Sequence, residues 1–476
     1  MLRSQLRPTI FRRLMSEQVT FGTKGVSRVV TLSRPKKLNA LSTEMCKKII
    51  PTLQEYAKSE VTNLVMIRSS NAPRSLCSGG DVATVALQNL AGEYDKSFEF
   101  FSEEYSLNLL LATYDRPVVV LMDGITMGGG VGLATHAPFR VATENTRWCM
   151  PEMDIGFFPD VGTTFSLPQI TTVGGTEGQL ALYLCLSGDL LSGPDVYMAG
   201  LASHYVPSGN LPDLQARLSE LPVIQSEEIF QMTSAALEEF STGIPDDYQF
   251  KYSPAQLDTI EKCFKVGLGL KGIIGALDSL IASPSASPEE REFAKTTKEK
   301  LATKSPVSLQ VAIEQFQRNM HSDVESALRQ DLVTATNMCV DPASEFSQAT
   351  KHKLVDKQKT PYQWAKNSLT MEELSRLVSP RASNPVSLLK FPNAITWKKY
   401  PRHSLFMLPT EQQLKDYITG NDGTGRSLAV SKAEVIKYFS QFNQSSKGKT
   451  GVDYLCRLIC DRKCTVGETE ELHWKD

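Results

Sequence analysis

Two glycine-rich runs and three carboxylates are the residues of this chain best suited to chemistry. The first run, Cys77-Ser78-Gly79-Gly80-Asp81, comes soon after a β-branched apolar segment. The second, Gly128-Gly129-Gly130-Val131-Gly132, follows another and opens a helical pattern. Glycine lets backbone approach a ligand closely, and a helix N-terminus points free N–H groups at negative charge. Two such N–H groups converging on a carbonyl oxygen form an oxyanion hole, where loss of one donor costs roughly 10²–10³ in rate. Tight turns and close helix packing use glycine runs equally well, so neither run is decisive alone. Glu152 follows Met150-Pro151, and Asp160 lies in Phe158-Pro159-Asp160-Val161-Gly162. Separated by glycine and proline, these carboxylates cannot share one helix face, and apolar neighbours can raise a pKa or exclude water. Each also reads as ordinary structure: Glu152 as a surface residue after a proline bend, Asp160 as the N-cap of a helix begun by Val161. The third carboxylate is more telling. Over residues 96–114, Phe100, Glu104, Leu107 and Leu111 share a helix face by spacing, with Glu99, Glu103 and Ser106 on another. Glu104 interrupts an apolar face, where a carboxylate is costly without a partner or a task. A structural hydrogen bond and a substrate contact both answer that need, and Glu103 is expected in solvent.

The elements that must position these groups alternate. Residues 26–33 and 63–69 read as strands, with a helix over 43–58 between them. Residues 117–122 predict a buried strand and 138–143 another, giving an α/β layered core. Beyond about residue 175 the pattern is mainly helical. It has a loop at 283–288 and a helix from Ser305-Pro306 to Phe316. Residues 378–409 read as an irregular linker and 410–464 as a small helical module. The expected division is a leader at 1–18, a catalytic core at 19–210, a helical region covering it at 211–375, and a basic extension at 376–476. There is no G-x-S-x-G elbow and no H-E-x-x-H. Gly267 to Gly272 spells G-x-G-x-x-G without the preceding strand that a dinucleotide site needs. Cys456, Cys460 and Cys464 recur every four residues without C-x-x-C pairs, which favours a helix face over a metal site.

The composition, 41% hydrophobic and 22% charged over 476 residues, is that of a globular protein. No apolar run approaches the roughly 20 residues that would cross a bilayer. The net charge of −2 is unevenly spread: residues 376–476 hold 16 Lys+Arg against 10 Asp+Glu, net +6, and residues 1–375 hold 35 against 43, net −8. A basic tail on an acidic body suggests a partner for the tail, a merely solvated basic surface being the equal alternative. Within 376–463 the balance is 15 basic to 6 acidic, with Lys398, Lys399 and Arg402 close to Trp397 and Tyr400. Such residues neutralise phosphates and stack on exposed bases. Nine cysteines, most of them far apart, predict reduced thiols. The first fifteen residues carry four arginines, no acid, and leucine or isoleucine every four positions, a pattern resembling a mitochondrial presequence.

Asn39-Ala40-Leu41, Ser78-Gly79-Gly80-Asp81 and the glycine triplet after Asp123-Gly124-Ile125 together resemble the crotonase superfamily. The resemblance implies a spiral of ββα units and two backbone N–H groups, here those of Gly80 and Gly129, that stabilise thioester enolates or oxyanions. It implies that the loop Lys36 to Leu41 helps to hold the adenine end of coenzyme A, with Lys36, Ala40, Ser78 and Asp81 as CoA-binding residues. Hydratases of the superfamily use a glutamate three residues after the second oxyanion glycine and another in a Pro-Glu step. Here the first position is Gly132 and the second is Glu152. Glu104 in Glu103-Glu104-Tyr105-Ser106-Leu107-Asn108 and Asp160 in its Phe-Pro-Asp-Val-Gly step resemble the 3-hydroxyisobutyryl-CoA hydrolase family, over about residues 19–375. The implied activity is hydrolysis of 3-hydroxyisobutyryl-CoA to 3-hydroxyisobutyrate and CoA, in valine breakdown in the mitochondrial matrix. Glu152 would attack the thioester or activate water, and Asp160 would assist proton transfer. Glu104, Gly129, Glu152 and Asp160 would contact the substrate, with no metal or redox cofactor. Beyond residue 376 the chain resembles extended fungal mitochondrial members, which include a component of the mitochondrial small ribosomal subunit. The alternative implied is a structural role on that subunit and its RNA, with or without retained hydrolysis.

Overall fold

Strands that alternate between two sheets generate the architecture. A computed structural model describes residues 17–475, except 243, 246, 382–394, 424 and 427. Residues 1–16 of the expected leader and part of the expected linker therefore lie outside the described residues. In chain order the strands are β1 Val19–Lys24, β2 Ser27–Leu32, β3 Val65–Ser69, β4 Ser75–Cys77, β5 Val118–Met122, β6 Ile125–Met127, β7 Phe139–Ala142, β8 Arg147–Cys149, β9 Leu191–Ser192 and β10 His204–Tyr205. One sheet has the order β1-β2-β3-β5-β7-β10 and the other β4-β6-β8-β9. Within these two sheets only β1 with β2 and β8 with β9 pair antiparallel. The helices that matter for the site are α1 Thr43–Lys58, α2 Val82–Leu90, α3 Tyr94–Ala112, α4 Gly129–Thr135 and α5 Thr163–Ile170. Each turn of the chain lays one strand in each sheet and then a helix: β3 and β4 precede α2 and α3, β5 and β6 precede α4, and β7 and β8 precede α5. This is the expected spiral of ββα units, followed by the expected helical region.

The larger sheet is apolar on both faces, which is why its strands read as unbroken hydrophobic runs. Val65, Ile67, Val118 and Val120 enter the main core with α1 and α3. Met66, Val119, Leu121, Phe139 and Val141 pack instead against Leu214, Leu218, Phe230 and Leu237 from the helices Leu211–Ser219 and Glu228–Glu238. Helix α1 has the span that its period predicts, with Ser42 accepting from the Met45 N–H at its start. The expected helix after Ser305 runs Pro306–Asn319. Strand β1, helix α2 and the three-residue strands β4, β6 and β8 are not predicted by the sequence; three residues are too few to display a period.

The C-terminal part has the helices expected over 410–464 and is not a separate tail. Its helices Glu411–Thr419, Lys432–Lys437 and Val452–Lys463 and the hairpin Cys464–Val466 with Leu472–Trp474 pack into the body. Tyr400, Met407, Leu408, Leu414, Val435, Phe439, Leu455 and Ile459 belong to the main core. Much of the positive charge is spent internally. Arg376 and Arg381 pair with Asp341, Arg402 with Glu227, Lys449 with Glu238, and Lys463 with Glu261. Tyr400 is buried, so it is not available to stack on a base. No helix of the described residues is long and apolar enough to cross a membrane.

Arg462 is the centre of this attachment. Its guanidinium is 1% exposed and meets Glu411, Glu261 at 2.7 Å and Asp258 at 3.2 Å. Removing one partner of a buried ion pair costs about 3–5 kcal/mol, because the other charge is left uncompensated. Arg462→Ala is therefore expected to lower the urea midpoint of the whole protein in a single transition. A midpoint unchanged from the parent would show that the extension is not energetically part of the core.

Candidate active site

The smaller sheet brings the candidate residues together. Strands β4, β6 and β8 run parallel, with Cys77 opposite Thr126 and Met127 opposite Cys149. The chain leaves β4 into Ser78–Asp81, β6 into Gly128–Gly132 and β8 into Met150–Glu152. Gly80, Gly129 and Glu152, far apart in sequence, thus emerge side by side. A Cβ on Gly129 would overlap Glu104 Oε1 and stand 3.1 Å from Gly80 N, and one on Gly128 would stand 2.9 Å from Glu152 Oε1. Gly79 at φ +117° and Gly128 at φ +46° need the left-handed region as well. Gly129 is the first residue of α4, so its N–H has no acceptor within the helix.

Glu104, Glu152 and Asp160 are all buried. Glu104 Oε1 and Glu152 Oε2 have no hydrogen-bond partner among the described residues. A buried carboxylate oxygen calls for a hydrogen-bond partner, which a polar group of a substrate can supply. Tyr105 Oη donates to Asp160 Oδ2 at 2.6 Å. Burial pushes the Asp160 carboxyl up to about 7. Burial, and then the nearby Asp160, push Glu104 and Glu152 well above the ordinary range. The ordinary structural readings of these residues do not hold. Helix α5 begins at Thr163 with Gly162 as cap, and Asp160 meets it only through its carbonyl, which accepts from Thr163 N at 3.1 Å. Glu152 opens a buried 3₁₀ turn, Glu152–Ile155. On α3, Glu104 is buried as its spacing predicts. Ser106, however, is buried and Glu103 half-buried, because α3 packs against both α1 and the helix Val324–Val340.

Gly132, the position where hydratases carry their other glutamate, is closed. A Cβ there would lie 2.7 Å from Val161 Cβ and 3.0 Å from Asn108 Nδ2. Asn108 is one helical turn beyond Glu104, and both its polar side-chain atoms are buried without a partner among the described residues. Its position could be read from the i, i+4 spacing. Asp331, buried, accepts from the Gly162 N–H at 2.7 Å, and no local sequence signal announces it.

The expected CoA loop lies against the first glycine run. Leu41 N donates to Gly79 O and Asp81 N to Leu41 O, each at 2.8 Å, while Ser78 N donates to Leu38 O. Lys36 is exposed and Ala40 buried. The Asp81 carboxylate is engaged by Arg34 at 2.7 Å and by the Thr84 N–H at the start of α2, so it holds the two loops together. Among the described residues no group of His, Cys, Asp or Glu has the arrangement of a metal site.

Fold and site together define a member of the enoyl-CoA hydratase/isomerase family, and the chain belongs to that family, whose profile matches residues 27–376. Two kinds of protein are among its relatives. The small ribosomal subunit protein mS47 of Neurospora crassa is 36% identical over 469 residues, covering 96% of this chain and 88% of that protein. The mitochondrial 3-hydroxyisobutyryl-CoA hydrolase of Danio rerio is 33% identical, covering 74% of this chain and 86% of that enzyme. Among solved structures, a carnitinyl-CoA dehydratase from Mycobacterium thermoresistibile shares the fold with a TM-score of 0.63 at 28% identity, over 77% of this chain and 97% of the other.

The buried carboxyls make a stability prediction. A carboxyl whose folded pKa is raised holds a proton that the unfolded chain releases. Its contribution therefore falls as pH climbs from the unfolded value of about 4 through the folded value. For Asp160 that window ends at about 7. Asp160→Asn is expected to raise the melting temperature at pH 8 by several degrees, on the order of 2 °C per kcal/mol, and by less at pH 5. Melting scans at the two pH values check this; an equal gain at both would mean that the carboxyl is not desolvated.

Proposed function

We propose that the protein hydrolyses short 3-hydroxyacyl-CoA thioesters, 3-hydroxyisobutyryl-CoA foremost, in the mitochondrial matrix. The observation that carries this reading is the convergence of Gly80, Gly129 and the unpartnered oxygens of Glu104 and Glu152, beside a Gly132 position too crowded for a hydratase glutamate. The thioester carbonyl oxygen accepts from the N–H groups of Gly80 and Gly129, which stabilise the charge that develops there. Glu152 attacks the carbonyl carbon or takes a proton from the attacking water. Asp160, poised near neutrality, delivers a proton to the departing CoA sulfur. Glu104, whose carboxyl burial pushes above the ordinary range, hydrogen-bonds the acyl group. The adenine end of CoA lies along Lys36, Ala40 and Ser78, with Asp81 fixing the loops. CoA arrives as part of the substrate, and the steps need no other cofactor.

Incubated with 3-hydroxyisobutyryl-CoA, the protein should release free thiol and should not hydrate crotonyl-CoA. Glu152→Gln should lower kcat by at least about 10², as expected for loss of a general base or nucleophile, while Glu103→Gln leaves it nearly unchanged. Rapid crotonyl-CoA hydration without thioester cleavage would overturn the reading.

A second, compatible role is attachment to the mitochondrial small ribosomal subunit. It is favoured by the mS47 relative, whose match over 96% of the chain takes in most of residues 376–476, whereas the family profile ends at 376. Lys398, Lys399, Lys437 and Lys447 are exposed and carry no ion pair among the described residues, which leaves them for ribosomal RNA. The protein should cosediment with the subunit at low salt and leave it as salt rises. A Lys398→Ala/Lys399→Ala double variant should flatten the salt slope by about 0.7–0.9 for each phosphate it no longer neutralises. Absence from the subunit at low salt would remove this role.

A further inference from the structure

We propose that the C-terminal extension is a working part of the active site: Tyr400, acting through His136, positions the Asp160 loop. This rests on the hydrolase reading above. The loop needs such support. Val161, next to Asp160, is β-branched yet stands at φ +51°. A β-branched residue rarely adopts that conformation and keeps it only where its surroundings hold it.

The holding groups form a short chain. His136, the residue after α4, is buried, and its Nε2 lies 2.8 Å from the Val161 carbonyl oxygen. Its Nδ1 lies 2.6 Å from Tyr400 Oη. Burial holds the imidazole neutral by lowering its pKa to about 4. A carbonyl only accepts, so Nε2 must carry the proton, and Nδ1 is then an acceptor to which Tyr400 donates. The tyrosine hydroxyl thus fixes the tautomer that lets His136 hold Val161. Tyr400 is itself located by stacking on His403 at 4.0 Å, and His403 Nε2 donates to the Thr135 carbonyl at 2.9 Å. The end of the helix that begins with Gly129 is therefore tied to the same segment.

The extension also grips the loop from its other side. Val324 N donates to Trp397 O at 3.0 Å and the Thr396 hydroxyl donates to Asp323, so residues 396–397 fix the start of the helix Val324–Val340. Two turns along that helix, Asp331 accepts from Gly162 N. Residues 396–403 hence act on the two residues that follow Asp160, Val161 through its carbonyl and Gly162 through its N–H. With both fixed, the Asp160 side chain is directed onto Tyr105 and towards Glu152. Tyr400 and His136 touch no substrate in this arrangement; they are positioning residues.

Tyr400→Phe tests the proposal, since the ring keeps its stacking on His403 and only the hydroxyl is removed. Expected is a fall in kcat of about 10-fold or more, with KM changed less than about twofold and the melting temperature nearly retained, because a misplaced Asp160 affects the transition state rather than binding. Amide exchange across residues 158–166 should quicken about 10-fold. Tyr417→Phe, a change in the extension away from the site, should alter neither. Unchanged kcat together with unchanged exchange in Tyr400→Phe would overturn the proposal. If the parent protein cleaves no acyl-CoA, the hydrolase reading fails, and the exchange measurement alone decides whether Tyr400 holds the loop.

Discussion

The parallel pairing of β4, β6 and β8 is the constraint on which the rest depends. Parallel strands all point their C-terminal ends one way, so three loops separated by dozens of residues open at one edge. The first two loops carry backbone donors and the third a carboxylate. The strands need only three residues each because the larger sheet, whose strands alternate with them, supplies the stability. The smaller sheet is thus a positioning device held by its neighbour, and its glycines are fixed by what surrounds them: Glu104 beside Gly129, Glu152 beside Gly128, Phe100 beside Gly80.

Around that edge the protein buries several acids. Glu104, Glu152, Asp160 and Asp331 all lie out of solvent with raised pKa values, and none has an ion pair among the described residues. At the attachment of the extension a buried charge is matched, as Arg462 is with Glu411. The contrast separates two uses of burial. At the attachment of the extension, opposite charges neutralise one another and hold elements together. At the site, like groups are left uncompensated and must share protons, so their titration belongs to the group as a whole. A substrate that donates or accepts hydrogen bonds relieves that imbalance.

Local periodicity made some of this legible in the sequence. Helix α1 could be bounded because Ser42 caps it and Met45, Ile49 and Leu53 repeat along one side. Glu104 could be singled out because it broke such a repeat. The same reasoning failed at Ser106, since α3 is gripped on two sides and a single apolar stripe does not describe it. The glycine runs and Glu152 were visible as motifs, yet their convergence came from sheet pairing that three-residue strands do not advertise. Asp331 and Tyr400 were invisible as site residues because their partners, Gly162 and His136, lie 169 and 264 positions away. The net charge of the extension overstates its free charge for a related reason: charge counts do not reveal which acids of the body a base has already met.

Those long separations bear on how the chain comes to be folded. Synthesis proceeds from the N-terminus, and contacts that close large loops form late. Phe139 packs against Phe406, and Arg462 reaches Asp258 across 204 residues. Until the final hundred residues have been made, the far face of the large sheet lacks part of its cover and the acids around Arg462 lack their cation. A partly synthesised chain therefore exposes apolar surface and charge that the full chain covers. A stop codon late in the reading frame strikes the core of the molecule, not an appendage.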